Sequence, residues 1–166
     1  DGVVLVGIVV YPGLMVFTLA SAGVIDANWV PGTGRLGMWI LTGPLVKHPD
    51  LKVVFVEPGL GWVAYYLHFL DDMVLRQGYE FPVLQGELPS FYYRRNMSMT
   101  FIDEPDSVRK LRNVLGTENL MWSSDYPHPV STWPKSLAVI DEQLGDLPRR
   151  DRALMVWGNA ARVWKL

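Results

Sequence analysis

Leu51-Lys52-Val53-Val54-Phe55-Val56-Glu57, residues 51–57, is the stretch on which the fold turns. After Lys52 it is an unbroken apolar run, rich in β-branched residues and closed by the turn signal Glu57-Pro58-Gly59. A strand with one wet face alternates apolar and polar residues. An unbroken run is the pattern of a strand covered on both faces, as in a parallel sheet. From Trp62 to Gln77, the residues Val63, Tyr66, Leu67, Leu70 and Val74 recur at helical spacing, and Gly78 supplies a terminator. A strand followed at once by an amphipathic helix is the start of a parallel crossover unit.

The alternation extends in both directions. Upstream, Val3-Val4-Leu5-Val6 and Ile8-Val9-Val10 predict a buried strand ending at the turn Tyr11-Pro12-Gly13. Residues 26–35 read as a loop, Leu36 to Lys47 as a helix weakened at Gly43-Pro44, and His48-Pro49-Asp50 as a turn. Downstream, Phe81 to Arg95 is aromatic and irregular, and Met97 to Ile102 is a short strand. Pro105 opens a helix with Val108, Leu111 and Leu115 on its buried stripe. Leu120 to Ser123 is the next strand, and Pro134 to Leu144 a helix with Leu137, Ile140 and Leu144 inward. Pro148 starts a last helix reaching Trp157, interrupted at Gly158-Asn159 before a final turn to Trp164. About four parallel strands with crossover helices are expected, in one α/β domain over residues 1–166 whose first 35 residues are atypical.

With 166 residues the chain can bury a real core, but a closed α/β barrel takes about 250. Apolar residues make up 49% and charged residues 19%, a globular balance. A formal net charge of -2 and the absence of any basic run argue against a nucleic-acid partner. Cysteine is absent, which excludes thiolate metal sites, thiol nucleophiles and disulfides, so any metal must be held by His, Asp or Glu. Residues 2–25 carry no charge and are long enough to span a bilayer. Gly7, Pro12, Gly13 and Gly23, with no flanking basic residue, favour a buried core segment instead. Asp1 stands where a signal peptide would be basic, and a cytoplasmic protein is expected.

In a parallel sheet the ligand site lies beyond the C-terminal ends of the strands. Two such ends carry acids, Glu57 and Asp125; Asp103, at a third, reads as the cap of the following helix. Asp125 could hold Zn²⁺, Mn²⁺ or a similar ion and act as base toward bound water, or it could cap the rigid turn Tyr126-Pro127. Glu57 could be a general base or a substrate-orienting acid. Alternatively, it accepts hydrogen bonds from the backbone of Gly59-Leu60-Gly61. His128 could touch substrate or a carboxylate, or face solvent; His48 and His68 read as exposed. No His-x-His and no His pair at i, i+4 is present, so spacing alone assembles no three- or four-ligand metal site. The tryptophans are expected mostly in the core, while Trp122 and Trp133 flank the Asp125 loop and could line a pocket for a planar substrate. Gly59-Leu60-Gly61 lacks the third glycine of a dinucleotide fingerprint, and Arg94-Arg95-Asn96 marks the opposite end of the sheet.

Several segments together carry a resemblance: His48-Pro49-Asp50-Leu51-Lys52-Val53-Val54-Phe55-Val56-Glu57, Gly59-Leu60-Gly61-Trp62, and Asn96 before a strand. Leu120-Met121-Trp122-Ser123-Ser124-Asp125-Tyr126-Pro127-His128, Ser131-Thr132-Trp133-Pro134 and Gly158-Asn159-Ala160-Ala161-Arg162 continue it. In order and approximate spacing they resemble the amidohydrolase-related proteins, in the branch of the aminocarboxymuconate-semialdehyde decarboxylase-like enzymes, over about residues 36–166. The resemblance implies a (β/α)₈ TIM barrel of which this chain carries the C-terminal half. It also implies a divalent metal, above all zinc, and hydrolysis or decarboxylation of a small, often aromatic or carboxylated molecule. The family's metal ligands are a His-x-His, a further His and an Asp after the last strand; Asp125 matches the Asp, and the histidines have no counterpart here. Glu57 stands where the decarboxylases carry a catalytic His, which implies a different acid–base arrangement.

The expected roles are therefore Asp125 as metal ligand and base and Glu57 as the second polar group. His128, Trp122 and Trp133 are expected to contact the substrate. Half a barrel leaves two strand edges open, so a second copy or a complementary half-barrel is the expected partner. The rival expectations are a non-catalytic descendant kept for binding or oligomerisation, and a membrane-associated protein anchored by residues 2–25.

Overall fold

A computed structural model describes residues 5–9 and 33–166. The expected turn at Tyr11-Pro12-Gly13, most of the 26–35 loop and most of the uncharged N-terminal stretch lie outside the described residues. Strand β1 (Leu5–Val9) is followed by helices α1 (Thr33–Leu41) and α2 (Pro44–Lys47), then by β2 (Lys52–Val56) and α3 (Gly61–Gln77). Two 3₁₀ turns, Gly78–Glu80 and Pro82–Leu84, lead to α4 (Pro89–Asn96) and β3 (Met97–Phe101). Helix α5 (Pro105–Leu115) and a 3₁₀ turn at Thr117–Asn119 precede β4 (Leu120–Trp122), α6 (Ser136–Leu144) and α7 (Arg149–Ala153). The chain closes with a π-helical turn (Leu154–Gly158) and α8 (Asn159–Trp164).

The four strands form one sheet in the order β1-β2-β3-β4, all parallel. Register places Val53 beside Met97, Phe55 beside Met99, and Met99 beside Leu120. These rows, with Phe101, bury against Val63, Leu67 and Leu70 of α3, Val108 of α5 and Ile140 of α6 in the main core. The alternate positions Val54 and Met121 form a second cluster with Val163 of α8. Both faces of β2 and β3 are thus covered, as the unbroken apolar run requires.

Four expectations are corrected. Residues 89–96, read as irregular, are helix α4: Pro89 stands in its first turn, where a missing N–H costs nothing, and Tyr92 and Tyr93 are buried. Helix α1 begins at Thr33, inside the expected loop, and Thr42-Gly43 separates it from α2. Leu137 is 79% exposed, and Gln143 takes the inward place on α6. The Gln143 amide is satisfied there, donating to Ile102 O at 2.7 Å and accepting the Glu104 N–H at 3.2 Å. The C-terminal helix is not interrupted at Gly158-Asn159; one extra residue is absorbed as a π turn and the helix runs on. Among the described residues, no helix is long and apolar enough to cross a membrane.

Candidate metal and active site

The C-terminal ends of β2, β3 and β4 converge on one small region. Glu57 follows β2 directly, and its backbone N–H donates to Thr100 Oγ1 on β3 at 2.7 Å. On β4, Ser123 N–H donates to Phe101 O at 2.8 Å, extending the ladder by one residue. The Ser123 hydroxyl then donates to Glu57 Oε1 at 3.1 Å, joining groups 66 positions apart in sequence. The Asp125 N–H donates to Ser123 Oγ at 3.3 Å, which turns the Asp125 carboxyl back toward the strand ends.

Both acids sit in the left-handed region of backbone space, Glu57 at φ 54° and Asp125 at φ 55°. Among the described residues only Gln85 and Lys165 share that conformation without being glycine. A left-handed residue with a Cβ costs about 1–2 kcal/mol. That two of the four are carboxylates at the ends of β2 and β4, on either side of β3, marks a constructed site.

Asp125 is 9% exposed. Its Oδ1 lies 2.5 Å from His128 Nδ1, and the His128 N–H donates to Asp125 O at 2.8 Å. The loop beyond is tied back by Ser131 Oγ and the Thr132 N–H, both donating to Ser124 O. Burial pushes the Glu57 carboxyl above its ordinary pKa, and the hydrogen-bonding Asp125 carboxylate beside it pushes it further; the Ser123 hydroxyl and His128 oppose the rise. Glu57, Asp125 and His128 each offer a donor atom, and the three lie within 4.8 Å of one another. Spacing alone had assembled no such set, because Glu57 reaches the others only through the parallel pairing of β2, β3 and β4. The donors suit a divalent ion that accepts carboxylate oxygen and imidazole nitrogen, such as Mn²⁺ or Zn²⁺.

Beside Glu57 lies a cleft of about 310 Å³ lined by Glu57, Gly59, Ile102, Asp103, Glu104 and Val130. That is the lower end of the volume range for small-molecule sites. Asp103 is exposed and does not cap α5; Glu104 holds the cap position. The Glu104 carboxylate accepts the Leu60 N–H at 2.8 Å, so one backbone donor that Glu57 might have taken belongs to Glu104. Trp122 is not gathered into the acid cluster: its indole packs on the main core and donates to Ile102 O at 3.0 Å, backing the cleft wall. Trp133 is 65% exposed and meets Tyr126 edge to face, with ring centroids 5.9 Å apart. The expectation of buried tryptophans fails for Trp133 and for Trp157, which is 62% exposed. His48 and His68 are exposed, as expected. Lys52, Arg94, Arg95 and Arg162 line a pocket at the opposite end of the sheet, far from the acids along the strands.

The family model for the amidohydrolases matches residues 32–166. Among solved structures, the chain is similar to 5-carboxyvanillate decarboxylase from Sphingomonas paucimobilis, with 29% identity and a TM-score of 0.67. That match covers 90% of this chain and 45% of the other. It is also similar to dihydroxybenzoic acid decarboxylase from Polaromonas, solved with manganese and the inhibitor 2-nitroresorcinol (18% identity, TM-score 0.68, covering 92% and 46%). A third similar structure is 2,6-dihydroxybenzoate decarboxylase from Rhizobium (15% identity, TM-score 0.73, covering 98% and 51%). The chain therefore spans about half the length of these structures, and its four parallel strands with crossover helices are part of a TIM barrel. Sheet order, the acids at the strand ends and the matched family model lead to one conclusion: the chain belongs to the amidohydrolase family.

Proposed function

We propose that this chain is the C-terminal part of a metal-dependent enzyme of the decarboxylase or hydrolase type, acting on a small planar organic acid. The observation that supports it most is the meeting of Glu57 and Asp125 at the ends of β2 and β4, beside a cleft of substrate size. The similar structures are decarboxylases of hydroxylated aromatic acids, one of them holding manganese, which favours decarboxylation and manganese or zinc. In this reading Asp125 holds the ion and Glu57 is the acid–base group. Burial and the neighbouring Asp125 carboxylate raise its pKa, the direction that favours a proton donor to the substrate. The ion, when bound, supplies electrostatic stabilisation of the charge that develops on the substrate. Trp122 backs the wall through its bond to Ile102 O, while His128 and Trp133 are exposed on the loop beyond Asp125, from which they would contact a planar substrate.

A second reading, a non-catalytic descendant, is favoured by one observation: Glu57 stands where the decarboxylases that the chain resembles carry a catalytic His. One assay separates them. The chain, loaded with Mn²⁺ or Zn²⁺, is offered a panel of hydroxybenzoates, and carbon dioxide release and ester or amide hydrolysis are followed. Turnover that disappears in Asp125→Ala supports the enzyme. A metal-loaded assembly inert to the whole panel supports the descendant. Each open sheet edge is proposed to pair with a second copy or with a complementary half-barrel.

A further inference from the structure

We propose that the pocket at the N-terminal ends of β2 and β3, lined by Lys52, Arg94, Arg95 and Arg162, binds one doubly charged oxyanion of the phosphate type. The pocket lies at the end of the sheet opposite the acids, about 16 Å from Glu57 along β2 at about 3.3 Å per residue. It is independent of the roles given to Glu57 and Asp125.

Three features carry it. The first is charge without a counter-charge. Elsewhere Arg76, Arg109, Lys110, Arg112, Arg150 and Arg152 each pair with a carboxylate. Among the described residues none of the four pocket cations does. Lys52 Nζ donates to Arg95 O at 2.8 Å and Arg94 Nη2 to Val114 O at 2.9 Å. Arg95 Nη2 donates to Leu45 O and Arg162 Nη2 to Glu118 O, both at 2.5 Å. Each acceptor is a neutral carbonyl. The one acid in the lining, Glu118, meets Arg150 at 3.3 Å. Four positive charges against one negative leave the lining at +3, in a chain whose formal net charge is -2. Burial holds the Lys52 ammonium below its ordinary pKa, Arg162 and Arg95 push it further, and Asp50 opposes them. The second feature is free donors. Lys52 spends one of its three N–H bonds, and Arg94 and Arg162 use only Nη2, leaving Nε and Nη1 of both unbonded among the described residues. A guanidinium fork matches the geometry of an oxyanion. Arg95 is held more firmly, bonded to Asn96 Oδ1 and placed over the Phe91 and Tyr92 rings at 5.1 and 5.2 Å, so it contributes charge more than donors. The third feature is size. The pocket holds about 60 Å³, with the buried Ser98 in its lining. That is room for one oxyanion group and far below the roughly 300 Å³ at which small-molecule sites begin. A lining at +3 attracts a dianion more than a monoanion. The competing account makes each cation a partner for a carbonyl at a helix C-terminus. That role needs one cation at each helix end, and it gives no reason for four to converge on one pocket against their mutual repulsion. An oxyanion held there would bridge β2, α4 and α8 through Lys52, Arg94 and Arg162, and would stabilise the folded chain by binding it alone.

The test is isothermal titration of the full 166-residue chain with sodium phosphate, at constant ionic strength set by sodium chloride, with thermal unfolding in the same buffers. Low-millimolar phosphate keeps out the general stabilisation that this ion gives by exclusion from protein surfaces. One phosphate per chain is expected, with a rise of about 2–5 °C in Tm. Sulfate should compete, and acetate should bind about tenfold more weakly, as a monoanion does beside a multiply charged lining. Affinity should fall about tenfold in Arg162→Gln and in Arg94→Gln, the loss of one charge-assisted bond. Both side chains are exposed, so their replacement spares the core, and circular dichroism checks the fold. Arg76→Gln, which removes a cation paired with Asp72 on α3, should leave the affinity unchanged. Phosphate that acts no differently from chloride, acetate that binds as tightly, or affinity unchanged in both pocket variants overturns the proposal. Phosphate affinity that weakens as the chain concentration rises would assign the pocket to a carboxylate of a second copy, and it overturns the free oxyanion as the occupant.

Discussion

Glu57 and Asp125 are held in a backbone conformation that ordinary residues avoid, with two acids side by side. Both features cost stability in the metal-free protein and serve binding. Asp125→Asn should therefore stabilise the metal-free chain by about 0.5–1.5 kcal/mol, since asparagine tolerates the left-handed region and carries no charge. Urea unfolding without metal measures this; destabilisation would mean that the carboxylate braces the loop. Glu57 gives a pH signature. Its folded pKa is raised, so the native state holds the proton more tightly than the unfolded chain. Its contribution to stability is complete below the ordinary carboxylate value of 4.5 and is lost as pH rises through the folded value. The urea midpoint of the metal-free protein should fall over that window, and in Glu57→Gln the fall should flatten. At this scale the sequence showed two acids at strand ends. It could not show that they meet, because the Ser123–Glu57 bond joins residues that only the sheet brings together.

A repeated device holds the elements. Asn96, just before β3, donates to Pro49 O and Leu51 O ahead of β2, at 2.9 and 2.7 Å. Asn119, just before β4, donates to Arg94 O near the end of α4 and to Met97 O at the start of β3, at 3.0 and 2.6 Å. Asn159 at the start of α8 donates to Thr117 O and Leu120 O at the start of β4, both at 2.8 Å. Each asparagine clips the N-terminal end of the neighbouring strand, where carbonyls would otherwise be buried unpaired. The clips fix the register that delivers Glu57 and Asp125 to one point at the other end. Asn119→Ala should cost about 2–4 kcal/mol in urea unfolding, two buried carbonyls losing their donor at about 1–2 kcal/mol each. A loss below about 0.5 kcal/mol would show that water replaces the amide. The strands and long helices were legible because β2 is unbroken and α3 periodic. Helix α4 was hidden by aromatic residues in an irregular pattern. The inward Gln143 was hidden because a polar side chain is tolerated inside only when its partners, here Ile102 O and the Glu104 N–H, are in place.

At the scale of the whole molecule, the sheet has two ends and no closure: among the described residues β1 pairs only with β2, and β4 only with β3. Open parallel edges favour association. Sedimentation velocity of the purified chain should show a mass of at least two chains, and a monodisperse monomer would count against edge pairing. The partial barrel was legible from the alternation of strands and helices, whereas no pattern in the sequence says what closes it. The site at the strand ends remains the central claim. Its most direct measurement is anomalous diffraction from crystals of this chain grown with Mn²⁺. The account predicts one strong anomalous peak beside the Glu57 and Asp125 carboxyls, at coordination distance from Asp125. No peak there, or manganese only on surface groups, would contradict it.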